Sequence, residues 1–151
     1  MDLRDLERFI ILAREHTCLG RSRRLPPERP GAVEIVYREG SLSYRDSYFG
    51  QSRLIGQEVV RRAGTVIWGM NYLILLYELP LSSEELAAFL QRAQLARYRE
   101  RRLLGPHLFQ ERSLRYEDHN EGDLALFQGE TLVFYQQEVL FRMHYCGGLV
   151  R

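Results

Sequence analysis

The chain has no lysine. All 21 of its Lys or Arg positions are arginine, and asparagine occurs only at Asn71 and Asn120. Without lysine there is no phosphate-gripping Gly-x-x-x-x-Gly-Lys-Ser/Thr loop, and no Gly-x-Ser-x-Gly elbow occurs, so the usual motifs of nucleotide hydrolysis and serine hydrolysis are missing. The arginine bias has the character of GC-rich coding, a simpler source than a demand for guanidinium forks at phosphate or carboxylate groups. Cys18 and Cys146 stand far apart without Cys-x-x-Cys spacing, which predicts free thiols in a reducing compartment. His16, His107, His119 and His144 lack metal-ligand spacing. His144 and Cys146 share a strand face, but two ligands do not close a zinc site. No metal and no cofactor is expected. No apolar run approaches the roughly 20 residues of a membrane span, and Met1-Asp2-Leu3-Arg4-Asp5 does not open a signal peptide. The expected location is cytoplasmic, with no membrane contact.

Twenty acids nearly balance the arginines, for a net charge of +1, which argues against specific DNA binding and leaves only local basic clusters. One is Arg21, Arg23, Arg24 and Arg29; the other is Arg97, Arg99, Arg101 and Arg102. The second falls at a predicted helix C-terminus, where cations complement the helix dipole. A solvated face is the plainer reading of these arginines, and phosphate or nucleic-acid binding the weaker one.

The length of 151 residues suits one domain with a single core. Leu3, Leu6, Phe9, Ile10 and Ala13 recur at three- and four-residue steps and predict a helix over 2–16. Prolines at 26, 27 and 30 predict an extended, exposed connector over 19–31. The period then becomes two. Val33, Ile35 and Tyr37 alternate with polar residues, Glu39-Gly40 turns the chain, and Leu42, Tyr44, Asp46 and Tyr48 continue the alternation, which predicts a hairpin. A second hairpin turns at Ala63-Gly64 between Ile55–Val60 and Thr65–Tyr72. Ser82-x-x-Glu85 is a capping box that opens a second helix, closed by Gly105-Pro106. Beyond it, Leu114–Tyr116, Leu124–Phe127, Thr131–Tyr135 and Val139–Tyr145 read as strands, with Gly122, Gly129 and Gly147-Gly148 as punctuation. The predicted order is helix, four strands, helix, three or four strands. The expected class is therefore α+β, a curved antiparallel sheet of about six to eight strands with two principal helices, its core within 32–149 of a single domain 1–151.

Polar side chains set among aromatic ones in the strands mark the candidate site, because buried polar groups need partners. Tyr44, Asp46 and Tyr48 share one strand face. Pairing Arg62 with Thr65 across the turn sets Glu58 opposite Gly69, with Asn71 on the same side, and puts Gln57 with Trp68, Met70 and Tyr72 on the other. Gly69 would then open a space beside Glu58. Asp46 and Glu58 together would resemble an acid/base pair. How the first hairpin docks on the second is left open by the sequence.

These residues also carry a family likeness. Arg29-Pro30, Tyr44-x-Asp46-x-Tyr48-x-Gly50, Gly56-x-Glu58, Trp68-x-Met70-Asn71-Tyr72, Gly105-Pro106, Gly122-Asp123, Phe127-x-Gly129 and Tyr145-x-Gly147-Gly148 resemble, in order and spacing, a bacterial and archaeal family of unknown function, family 5680. Its members stand alone or follow helix-turn-helix domains of the XRE type. The chain departs from the family pattern at Ile74, Gln136-Gln137 and Cys146, positions where that pattern has glycine, an Asn-Gly turn and histidine. The likeness implies a fold unit and a binding role, and carries no activity.

Three functions fit the sequence. The first is a ligand-binding or regulatory module for a small molecule, with Tyr44, Asp46, Tyr48, Gln57, Glu58, Trp68, Asn71 and Tyr72 as candidate contacts. The second is an enzyme using Asp46 and Glu58 as acid and base. The third is a protein-interaction or homodimerisation domain using sheet edges.

Overall fold

The computed structural model describes residues 1–18, 26–78 and 80–150. Helix α1 spans Leu3–Cys18, and its stripe of Leu6, Phe9, Ile10 and Ala13 is buried. Strands β1 (Val33–Glu39), β2 (Leu42–Gly50), β3 (Arg53–Arg62) and β4 (Thr65–Leu76) follow, then helix α2 (Ser83–Arg99). Its capping box forms as the sequence implies, Ser82 accepting from the Glu85 backbone and Glu85 from that of Ser82. The helix ends at Arg99, earlier than Gly105-Pro106, and Arg101 already has a left-handed φ of 56°. Strands β5 (His107–Glu111), β6 (Leu114–Asp123), β7 (Leu126–Tyr135) and β8 (Glu138–Leu149) complete the chain.

Among the described residues the eight strands form one antiparallel sheet in the order β1-β2-β3-β4-β8-β7-β6-β5. Three features of the second half differ from expectation. β5 is an additional strand, β7 runs unbroken through Gly129, and β8 runs through Gly147-Gly148. These glycines are close-approach sites and not breaks. A Cβ on Gly129 would collide with the Tyr145 ring, and one on Gly147 with the Gly69 carbonyl.

The topology is two copies of one unit, a helix followed by a four-stranded meander. Equivalent turns fall at Glu39/Leu42 and Glu111/Leu114, and at Arg62/Thr65 and Tyr135/Glu138. Both copies carry a register shift, after Val60 in one and after Val133 in the other. β4 and β8 meet at the centre with Tyr72 opposite Tyr145, which are themselves equivalent residues, so a pseudo-twofold axis passes between them. The repeat is written in side chains as well. Tyr44-x-Asp46 matches Tyr116-x-Asp118, Gly56 matches Gly129, and Met70-x-Tyr72 matches Met143-x-Tyr145.

Both helices lie on one face. Leu6, Phe9, Ile10 and Ala13 cluster with Tyr44, Val60, Trp68, Met70 and Tyr72, while Leu86, Phe89 and Ala93 cluster with Tyr116, Val133 and Phe141. The alternate side chains of the central strands, among them Ile55, Gln57, Asn71, Leu73, Gln128, His144 and Cys146, point to the opposite, helix-free face and are exposed. Among the described residues no helix is long and apolar enough to cross a membrane.

Candidate functional site

The Ala63-Gly64 turn forms with Arg62 opposite Thr65, as the sequence implies. The faces nevertheless reverse. The register shift at Val60/Arg61 leaves Ile67 unpaired, so Val60 meets Trp68, Glu58 meets Met70 and Gln57 meets Asn71. One extra residue moves every side chain beyond it to the other face. Glu58 therefore joins Trp68, Met70 and Tyr72 beneath the helices, while Gln57, Gly69 and Asn71 lie on the open face. Gly69 opens no space beside the Glu58 side chain, and a Cβ there would meet only the Glu58 carbonyl oxygen, at 3.4 Å.

The candidate residues thus divide into two groups. On the helix-covered face Asp46 pairs directly with Glu58 across β2 and β3, which brings the two carboxylates together. Arg14 from α1 donates to Glu58 Oε2 through Nε at 3.0 Å and Nη2 at 2.7 Å. Tyr72 reaches from β4 over Gly56, where a Cβ would collide with its ring, and donates its hydroxyl to Asp46 Oδ1 at 2.7 Å. Tyr44 is 1% exposed beside the pair, Tyr48 packs at the margin of the same cluster, and Trp68 is core, its indole N–H donating to the Leu124 carbonyl. Two carboxylates here face one guanidinium. Burial, and then the Glu58 charge, push Asp46 from the ordinary 3.8 up to about 7, against the hydrogen bond from Tyr72 and the pull of Arg14. Burial and the same carboxylates raise the Tyr44 and Tyr72 phenols well above their usual range.

The second repeat shows the same frame with the opposite electrostatics. Tyr145 crosses Gly129 and donates to Asp118 Oδ1 at 2.7 Å; Asn120 donates to the same oxygen, and Thr131 to Oδ2 at 2.6 Å. Arg97 Nη2 lies 3.0 Å from Asp118 Oδ2 and donates to the Tyr116 hydroxyl. Burial alone would raise the Asp118 pKa, but Arg97 and the three hydrogen bonds outweigh it and hold the carboxyl below the ordinary range. The repeat places Thr131 where the first half has Glu58. A hydroxyl that donates to Asp118 stands where a carboxylate repels Asp46.

Arg97, expected among the solvated basic residues, is instead 5% exposed and structural. Arg99 and Arg101 are exposed, and Arg102 is half-buried, bonded to Glu100 and to the Pro106 carbonyl. Arg29 donates to Ser47 Oγ and lies over the Phe49 ring, whereas Arg21, Arg23 and Arg24 fall outside the described residues.

On the open face lies a groove of about 910 Å³, walled by Ile55, Asn71, Leu73, His119, Glu121, Gln128, Glu130, His144 and Cys146 and also bordered by Gly56, Tyr72, Asn120, Gly129 and Tyr145. A second groove of about 880 Å³ adjoins it and shares Asn71, Glu121, Gln128 and Cys146; Gln57 and Gly69 line this one. Gln57 donates to Asn71 Oδ1 at 2.8 Å, and Gln128 donates to Glu121. Cys146 is free and exposed. Among the described residues no cluster of three or more His, Cys, Asp or Glu is arranged to hold a metal ion.

Sequence reasoning missed Arg14, the Asp118 network and the open-face side chains of β6, β7 and β8. The repeated Tyr-x-Asp and Met-x-Tyr patterns were the signal for the Asp118 network.

The profile of the family "Domain of unknown function (DUF5680)" matches residues 46–150. The chain belongs to the DUF5680 family. The matched region begins at Asp46 and takes in Glu58, Tyr72, Asp118 and Tyr145 together with both grooves, so the DUF5680 region covers β3 through β8 and the whole open-face site. No curated protein and no solved structure matches the chain.

Proposed function

We propose that the chain is a small-molecule-binding module whose site is the larger open-face groove, with occupancy linked through Tyr72 to the carboxylate pair beneath. The observation that carries this reading is a groove of about 910 Å³ bordered by Tyr72, the residue that also bonds Asp46. Its volume lies within the roughly 300–1,000 Å³ range of small-molecule sites. Its polar side chains stand on paired central strands, which position groups more rigidly than loops do. The Tyr72 ring lies on the helix-covered side of the sheet, so a ligand that displaces β4 at this residue alters the hydrogen bond on a carboxyl poised to titrate, which makes binding proton-linked.

Native mass spectrometry of freshly purified protein, with amide NMR mapping of a fragment library, tests the reading. Retained or added ligands should shift amides of Leu73, Gln128, His144 and Cys146, and Cys146→Trp, which fills the groove without entering the core, should abolish them. Ligands that map away from the groove, or that survive Cys146→Trp, would refute it.

The raised Asp46 beside Glu58 favours a second reading, general acid/base catalysis. It ranks below the first because neither carboxylate belongs to the walls of either groove.

A further inference from the structure

Beneath the helices the two repeats share the Tyr-x-Asp and Met-x-Tyr frame, and on the open face their side chains diverge. One lateral row runs Phe49, Ile55, Leu73, His144, Glu130, His119 in direct register across β2, β3, β4, β8, β7 and β6. Its first three members are apolar and exposed, Ile55 at 65%. Their repeat equivalents are Glu121, Gln128 and Cys146, the first two polar, on the other side of the pseudo-twofold axis. The groove is therefore apolar at one end and polar at the other.

The polar end carries two carboxylates in its wall. Glu121 and Glu130 are in the groove wall, which contains no arginine. They lie diagonally on neighbouring strands, since Glu121 pairs with Gln128 and His119 with Glu130, a spacing of roughly 7–8 Å between Cα atoms that one cation can span with two flexible carboxylates. Glu130 has Arg142 Nε at 3.3 Å from outside that wall and His144 Nε2 at 3.6 Å within it, while Glu121 accepts from the Gln128 amide.

Resting on the groove reading above, we infer that the ligand is a small organic cation. Its aromatic or branched apolar body covers Ile55 and Leu73, and its ammonium sits between Glu121 and Glu130. Charge complementarity and the apolar strip act at opposite ends, so neither a simple inorganic cation nor a neutral hydrocarbon meets both.

Three matched probes test this: 1-naphthylmethylamine, 1-naphthylmethanol and 1-naphthoate, titrated into the whole chain at pH 8 and followed by amide NMR. The amine should bind about tenfold more tightly than the alcohol, with 1-naphthoate weakest and the shifts centred on Leu73, Gln128 and Glu130. The double variant Glu121→Gln/Glu130→Gln should reduce the amine's advantage to under threefold and leave the alcohol unchanged, while Ile55→Ser should weaken amine and alcohol alike. Equal binding of amine and alcohol within the groove, or binding by none of the three, overturns the cation inference and leaves the groove reading to the native mass spectrum. Shifts from all three that lie outside the groove overturn both.

Discussion

Replacing Asp46 with asparagine isolates the charge of one carboxyl while retaining an oxygen that can accept from Tyr72, and its effect should depend on pH in a defined direction. Asp46 in the folded chain titrates near 7, against an ordinary 3.8, because burial and Glu58 disfavour its anion. The folded state therefore binds more protons than the unfolded state between these values, and stability falls as pH rises through the interval. At about 1.4 kcal/mol per tenfold, full ionisation costs on the order of 4 kcal/mol, of which roughly 2–3 kcal/mol is lost between pH 5 and pH 8. Asp46→Asn removes that dependence. In urea melts the variant should gain on the wild type by roughly 2–3 kcal/mol on going from pH 5 to pH 8. Asp118→Asn provides the opposite sign: the Asp118 carboxyl is held below its ordinary range, so its contribution is present above the unfolded pKa and lost as pH falls. That variant should be weaker than wild type at pH 8, with buried Arg97 left unpaired. Parallel stability curves for wild type and Asp46→Asn, or an Asp46 carboxyl ¹³C resonance titrating near pH 4, would refute the reasoning.

Other outcomes follow from single contacts. Gly56→Ala should cost roughly 1–3 kcal/mol in denaturant melts, because the new methyl meets the Tyr72 ring, and should also displace the Tyr72 hydroxyl from Asp46. Arg97→Met should cost roughly 3–5 kcal/mol at pH 7 by stranding the Asp118 charge, where an exposed arginine such as Arg99 should cost almost nothing on substitution. Gly69→Ala should fold with less than about 1 kcal/mol of change, since its methyl enters the open face in ordinary contact with the Glu58 carbonyl.

Periodicity was legible wherever a strand has one wet and one dry face. Tyr44, Asp46 and Tyr48 do share a face, the Ala63-Gly64 turn forms where the turn residues stand, and the Ser82/Glu85 box opens α2. The site failed to emerge at one residue, Ile67. A bulge there reverses the faces of Glu58 and Gln57, and nothing in Thr-Val-Ile-Trp distinguishes a bulged isoleucine from a paired one, because the shift is decided by which of Trp68 and Ile67 fills the core. Arg14 was hidden for a different reason. On an amphipathic helix an arginine beside the apolar stripe is ordinarily a solvated flank, and only the position of Glu58 turns it inward. In the second half, Gly129 and Gly147-Gly148 divided continuous strands on paper. Tyr145 and Gly69 show why they do not do so in space: a glycine that lets a ring or another backbone approach stabilises a sheet at the point where its propensity is poorest.

The duplicated frame sharpens what the two aspartates mean. A lone buried carboxylate paired with tyrosine could be a device of stability or of function, and its burial does not distinguish them. Here the same backbone positions carry both versions. Asp118 receives Tyr145, Thr131, Asn120 and Arg97, and is held as an anion; Asp46 receives Tyr72 and the Ser47 backbone, and faces Glu58. The frame can therefore be closed electrostatically with the residues of the second half, a threonine at the Glu58 position included. The first half keeps instead an arrangement that costs stability above pH 7. That imbalance is absent from its twin, so Asp46 beside Glu58 is the half of the repeat whose charge changes near pH 7, and Asp118 beside Arg97 the half that keeps its charge.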